Sequence, residues 1–224
     1  MPSVRFCVVL GILSPLLLSG CGGSGGQYFV AKDEPWRETE ERACLASGAV
    51  QESPFIKTKL SLGGPSVCGA ERPFELAATD GGRVSIRPVA YLRCPMIPQV
   101  NRWVVGVIEP AAMRIYGAPL VEVKIAGSYS CRPMNNSWGA HLSEHGHANA
   151  LDVSGFVLAD GRTISVKRGW RGDDRERAFL RTVRAGACEH FTTVLSPDYD
   201  SNHHDHFHVD LARRGSDGLK TVCK

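Results

Sequence analysis

Six of the eight cysteines in this 224-residue chain lie beyond residue 40, at wide and irregular intervals: Cys44, Cys68, Cys94, Cys131, Cys188 and Cys223. An even number with no C-x-x-C spacing argues for three disulfides rather than for a thiolate zinc site. Such bridges persist in oxidising compartments, so this reading goes with export of the chain. The pairing stays open among the fifteen connectivities that six cysteines allow. The bridges brace an ordinary globular domain: 43% hydrophobic and 22% charged residues exclude a disordered, collagen-like or polytopic membrane chain. A formal charge of +3 without a basic stripe gives no footing for nucleic-acid binding.

The N-terminus agrees with export. Arg5 precedes an apolar run from Phe6 to Leu18, too short to span a bilayer comfortably. It ends in Leu18-Ser19-Gly20-Cys21, which resembles the lipobox of bacterial lipoproteins. That resemblance implies a signal peptide at residues 1–20, which takes Cys7 with it, and a diacylglyceryl group on the Cys21 sulfur. The competing reading is a plain secretory signal cut at small residues. Gly22-Gly23-Ser24-Gly25-Gly26 reads as a flexible tether, so that 21–40 is the lipidated cysteine plus linker. The expected location is the bacterial cell envelope, lipid-anchored and facing the periplasm, with inner or outer membrane left open.

Residues 41–118 are expected to form a loop-rich, disulfide-held helical lead-in. A helix is placed around Glu38–Ala46, and 47–90 is rich in Gly, Pro and Ser with short apolar patches such as Arg83–Arg87. Val100, Trp103, Val104, Val107 and Ile108 recur at helical spacing within 95–116, and Pro110 should end or kink that helix. Trp103, Val104, Val107 and Phe179 read as core.

Residues 119–214 carry the histidine clusters and the clearest strands. Leu120–Ile125 alternates, and Leu151–Leu158 and Thr163–Lys167 flank an Asp160-Gly161 hairpin turn. Asp173-Asp174 opens a helix that Gly186 should close. Thr192–Leu195 and Phe207–Leu211 read as strands, and 215–224 as a C-terminal tail. The pattern predicts an α+β fold with a mainly antiparallel sheet and flanking helices.

Seven of the eight histidines fall within 141–147 and 203–208. A zinc hydrolase needs about three neutral imidazole or carboxylate ligands and an open position for water. His145, Asp152 and one histidine of the second cluster would supply them. If Phe207 faces the core from a strand, His206 and His208 project together on the other side. A metal-scavenging or purely structural metal site is the bland alternative.

Ser143-x-His145, Ala150-x-Asp152 and His206-x-His208 resemble the S-x-H-x-x-G-x-A-x-D and H-x-H motifs of LAS-type zinc peptidases. That group includes D-Ala-D-Ala carboxypeptidases and murein endopeptidases and shares its fold with the hedgehog amino-terminal domain. Gly127–Pro133, Ser143–His145, Asn149–Gly155 and Asp205–Leu211 look more closely like bacterial extensin-like C-terminal domain proteins, over about residues 41–214.

The resemblance implies a hedgehog/DD-peptidase-like fold and a Zn²⁺ ion on His145, Asp152 and His208. It implies Asp205 as general base, His206 and His203 as further catalytic imidazoles, and Arg132 and Ser143 as substrate contacts. Asp205 is one methylene shorter than the glutamate of the carboxypeptidases. Ala148 stands where the motif has glycine, and His147 is an exposed bystander or a substrate contact. Asp210 and Glu144 are expected to be solvated or to back a histidine N–H. Trp138 and Tyr129 line a groove or pack; His141 and His190 have no assigned role.

The function implied is a zinc-dependent metallopeptidase, carboxypeptidase or endopeptidase, that cleaves peptidoglycan stem peptides or cross-links. The alternatives are a non-catalytic zinc-containing wall-binding or envelope-assembly lipoprotein, and a periplasmic metal carrier. Peptidoglycan peptides and the membrane, through Cys21, are the expected partners; the sequence names no protein partner.

Overall fold

The computed structural model describes Met1 and residues 28–224; the signal-peptide, Cys21 lipidation and Gly22–Gly26 tether assignments lie outside the described residues. Helix α1, Trp36–Ser47, closes on Gly48 at φ 65°, the left-handed conformation that glycine adopts without steric cost. Three strands follow, β1 (Ile56–Thr58), β2 (Phe74–Thr79) and β3 (Val84–Leu92). The expectation of loops through residues 47–90 is therefore corrected. In β3 the buried Val84, Ile86, Ala90 and Leu92 keep strand alternation, but Pro88 interrupts the pattern. It falls where the register with β2 shifts, between the Leu76–Ala90 and Ala78–Ser85 pairs, and there its missing N–H interrupts no regular ladder.

Helix α2 (Met96–Trp103) runs through a π-helical segment, Val104–Ile108, into α3 (Glu109–Tyr116). Pro110 does not end the helix. The π segment widens it just ahead of the residue that cannot donate an i→i−4 bond.

Strands β4 (Leu120–Gly127), β5 (Ala150–Leu158) and β6 (Thr163–Ser165) come next, the last two as the expected hairpin. Val166 and Lys167 leave the strand for a short helix, α4 (Val166–Gly169). Helix α5 (Asp174–Ala187) opens with a reciprocal Asp173–Glu176 capping box, worth about 1 kcal/mol. Gly186 lies inside α5 rather than at its end: a Cβ there would collide with the Val107 side chain, so its bare backbone lets α5 close on the π segment. Strands β7 (Thr193–Leu195), β8 (Phe207–Asp210) and β9 (Val222–Cys223) complete the chain.

Among the described residues, the nine strands belong to one sheet, ordered β1-β2-β3-β4-β5-β8-β7-β9, with β6 also on β5. The fold is α+β, but the sheet is mixed rather than mainly antiparallel: β3 runs parallel to β4, and β7 parallel to β9. Parallel neighbours need a crossover, and α2 with α3 supplies it between β3 and β4. The 215–224 segment is no free tail, because β9 pairs with β7.

Helices α2, α3, α4 and α5 cover one face. Trp103 donates from Nε1 to the Val183 carbonyl at 3.0 Å, tying α2 to α5, and Trp103, Phe156, Phe179, Trp170 and Phe207 are fully buried. In β5, Leu151 and Val153 join this core; in β8, Phe207 and Val209 do. Strand alternation therefore turns Asp152, His208 and Asp210 to the opposite face, and the β5/β8 register sets Asp152 directly across from His208.

Among the described residues, three disulfides pair Cys44–Cys94, Cys68–Cys131 and Cys188–Cys223, with Cα separations of 5.9, 5.7 and 5.9 Å. They close loops of 50, 63 and 35 residues, each worth about 4 kcal/mol on the chain-entropy account. Among the described residues, no helix is long and apolar enough to cross a membrane.

Candidate metal centre

His145 sits in a 3₁₀ turn, Glu144–His147. Ser143 opens the turn, its hydroxyl accepting from the His145 N–H at 3.4 Å. Ala148 closes it at φ 51° and is fully buried. That left-handed position suits glycine; alanine holds it at a cost of roughly 1–2 kcal/mol. The turn is clamped from behind. Glu144 accepts two bonds from Arg37 on α1, at 2.7 and 2.6 Å, and one from Asn149 at 2.6 Å. Arg37 also binds Glu34 at 2.8 Å. Glu144 is thus neither solvated nor behind a histidine.

His145, Asp152 and His208 are all buried, and one ligand atom from each lies within 4.8 Å of the others. His145 Nε2 is 3.1 Å from Asp152 Oδ2 and 3.2 Å from His208 Nδ1, which is 2.9 Å from Asp152 Oδ1. The other ring nitrogens are engaged. His145 Nδ1 donates to the Ser128 carbonyl at 2.6 Å, and His208 Nε2 lies 2.9 Å from Asp210 Oδ2. A carbonyl only accepts, so the His145 proton sits on Nδ1 and its Nε2 lone pair faces the group. Asp210, completely buried, also accepts from the Ala212 N–H at 2.9 Å, which confirms it as a partner behind a histidine. Two imidazoles and a carboxylate aimed at one point form a donor set that suits a first-row divalent cation.

The electrostatics favour positive charge here, carried by the His208 ring unless a metal ion displaces its Nδ1 proton. Burial works against ionising Asp152, yet His145 and His208 hold its carboxyl well below the usual carboxylate range. Burial likewise opposes charge on His208, but hydrogen bonds to Asp152 and Asp210 prevail and raise its pKa to about 10. Gly127, opposite Asp152 on β4, leaves the carboxylate room: a Cβ there would lie 3.0 Å from Asp152 Oδ2.

The group opens into a cavity of about 390 Å³ whose walls include Arg132, Met134, Asn135, Asn136, Ser143, His203 and His206. His206 Nε2 reaches within 3.5 Å of Asp152 Oδ1, while its Nδ1 lies 2.9 Å from Asp205 Oδ1. Asp205 itself does not line the cavity; it stands behind His206, not beside the ligand group. His203 is arranged the same way, its Nδ1 2.6 Å from Asp200 Oδ1, and its ring lies 5.3 Å from that of His206. Burial lowers the His203 pKa despite Asp200. Arg132 lies on the wall beside Cys131, which the Cys68 bridge anchors. Thus His145, Asp152, His208, His203, His206, Arg132 and Ser143 converge, and Asp205 is one step removed.

Tyr199 and Arg214 line the cavity and Asp200 stands behind His203, all three without a sequence assignment. Asp200 has a visible signal: Asp200-Ser201-Asn202-His203 is an N-cap pattern, and its side chain accepts from the Asn202 and His203 N–H groups. Tyr129 donates to the Gly63 carbonyl at 2.7 Å, a packing role. His147 is buried rather than an exposed bystander, and burial, with Arg37 nearby, lowers its pKa to about 4.

No curated protein and no solved structure matches the chain. The family described as extensin-like protein C-terminus matches residues 42–224, a span that contains the second half of α1, the whole sheet and every residue of the centre. The chain belongs to the extensin-like protein C-terminus family.

Proposed function

We propose that this chain is a zinc-dependent peptidase of the cell envelope, hydrolysing peptide bonds in peptidoglycan stem peptides or cross-links, with a hedgehog/DD-peptidase-like ancestry. The observation that carries the proposal is the buried His145–Asp152–His208 group with both outward ring nitrogens engaged. It opens into a cavity shared by two further imidazoles, each backed by a carboxylate. Spacing along the chain supports the same relation, because these residues fall where the LAS-type peptidases carry their ligands.

Zinc on those three side chains supplies a Lewis acid and a nucleophile at neutral pH. The chain's own groups do the rest. His206 keeps its Nδ1 proton, donating it as a hydrogen bond to Asp205, and presents Nε2 to the cavity as the base. Asp205 then stabilises the imidazolium, in place of acting on water directly. His203, backed by Asp200, is a second imidazole for proton transfer. Arg132 offers a planar fork for a substrate carboxylate or carbonyl. Lipidation at Cys21 would hold this site beside the wall.

One observation favours a non-catalytic wall-binding lipoprotein instead. The carboxylates that line the cavity, Glu144, Asp152 and Asp210, are each committed to protein partners, which leaves no free carboxylate base there. The deciding experiment incubates the zinc-loaded full chain with purified sacculi and reads released muropeptides by mass spectrometry, with His208→Ala and chelator controls. New products that vanish in both controls are expected, and their masses name the scissile bond. Unchanged muropeptides from folded protein carrying about one zinc per chain would overturn the peptidase and leave the binding lipoprotein.

A further inference from the structure

The wall of the cavity formed by Met134, Asn135 and Asn136 continues into a surface that the peptidase reading does not use. Residues 131–142 form a loop closed at its base by a Pro133–Leu142 bridge and by the Met134 N–H on the His141 carbonyl, 2.9 Å. The Cys68–Cys131 bridge fixes one end. Residues 28–30 lace its outside: Gly139 N–H donates to Tyr28 O, Val30 N–H to Ala140 O and Leu142 N–H to Val30 O, at 2.9, 2.8 and 3.1 Å. The Tyr28 hydroxyl donates to the Cys131 carbonyl at 3.0 Å.

A loop so well tied has no folding need for an exposed aromatic, yet Trp138 is 79% exposed. Its ring stands 5.8 Å from that of Tyr28, tilted by 40°, so the two make a shallow platform. Three and two residues before it in the loop, Asn135 and Asn136 both hold φ 54°, a left-handed conformation that costs free energy in any residue but glycine. Both are exposed. From Met134 to Ala140 the loop carries no ionisable side chain. An aromatic face, two neighbouring amides and no charge suit a neutral, hydroxyl- and amide-bearing ring, whose C–H face lies on the indole while its polar edge meets the amides. A charged peptide would find no counter-ion on this stretch, and a lipid headgroup no cation.

We infer that Trp138 and Tyr28, with Asn135 and Asn136, form a saccharide subsite contiguous with the metal-centre cavity, which holds an N-acetylhexosamine unit of a glycan strand next to that cavity. The choice of a wall glycan rests on the envelope reading above; sugar binding itself does not.

The test uses the full chain, with and without zinc, titrated calorimetrically with chitotetraose and with peptide-free glycan strands freed from sacculi by an amidase. A free stem tetrapeptide serves as a third titrant. Wild type should bind both saccharides, and Trp138→Ala should weaken that binding about tenfold or more, about 1.4 kcal/mol, with Trp138→Phe in between. Because Trp138 is on the surface, melting temperature and zinc content should not change. Saccharide binding by Trp138→Ala equal to wild type would overturn the subsite. So would wild type that ignores both saccharides at millimolar concentration, or a Trp138→Ala defect confined to the tetrapeptide. Binding is read without turnover, so a chain that binds sugar but cleaves nothing keeps the subsite and loses only the peptidase.

Discussion

Asp205 Oδ1 lies 2.9 Å from His206 Nδ1, and the opposite nitrogen of that ring lies 3.5 Å from Asp152 Oδ1. An imidazole is therefore interposed between the ligand group and the carboxylate expected to act on it. His206→Ala should lower muropeptide release about 100-fold or more, against about tenfold for Asp205→Asn, with zinc content equal in both. Initial rates on sacculi, paired with atomic absorption, check this. An Asp205→Asn defect as deep as that of His206→Ala would return the base to Asp205.

Gly127 pairs with Asp152 across β4 and β5, and an added Cβ would stand 3.0 Å from Asp152 Oδ2, a proposed ligand oxygen. The carboxylate would have to give way by a few tenths of an ångström. Gly127→Ala should weaken zinc binding about tenfold, as loss of a ligand's supporting contacts commonly does, with little change in thermal stability. Competition with a chromophoric chelator measures the affinity. Unchanged affinity would mean that Asp152 moves freely and is not held by this packing.

Arg37 joins α1 to the motif turn through a nearly buried ion pair, with side-chain exposures of 10% for Arg37 and 14% for Glu144. Removing one partner strands the other charge away from water. Arg37→Ala should cost about 3 kcal/mol in denaturant unfolding. Arg37→Lys should recover little of that, since lysine cannot span both Glu144 oxygens as the guanidinium fork does. A loss below about 1 kcal/mol would make α1 dispensable for the turn.

His147 contributes a pH dependence of definite sign. Burial holds its folded pKa at about 4, below the ordinary 6.5, so the unfolded chain takes up a proton that the folded chain refuses. Stability from this group is complete above pH 6.5 and falls as pH drops toward 4, by about 3 kcal/mol over the whole window. His147→Gln should flatten that acid limb in unfolding free energies measured from pH 7 to pH 4. An identical limb in the variant would assign the acid loss to other groups.

Local signals in the chain were enough to place α1, α5 with its Asp173 cap, and the β5–β6 hairpin. Each depends on spacing or turn chemistry within a few residues. The parallel β3/β4 pair was not legible, because Pro88 masks the alternation of β3 and without that strand the α2–α3 crossover loses its meaning. The site divides in the same way. Histidine clustering and motif spacing pointed to His145, Asp152 and His208, whereas the place of Asp205 behind His206 follows from side-chain direction at the start of β8.

By itself the sequence determined which donors were present, that six cysteines would pair among themselves, and that Ala148 would occupy a glycine-favouring position. Tertiary structure decided the disulfide partners, the burial of His147, and the meeting of His208 with residues 56 and 63 positions away. The physical reason is the sheet register. A shift of one residue between β5 and β8 would turn Asp152 or His208 into the core, and only the packing of Leu151, Val153, Phe207 and Val209 on the opposite face prevents it.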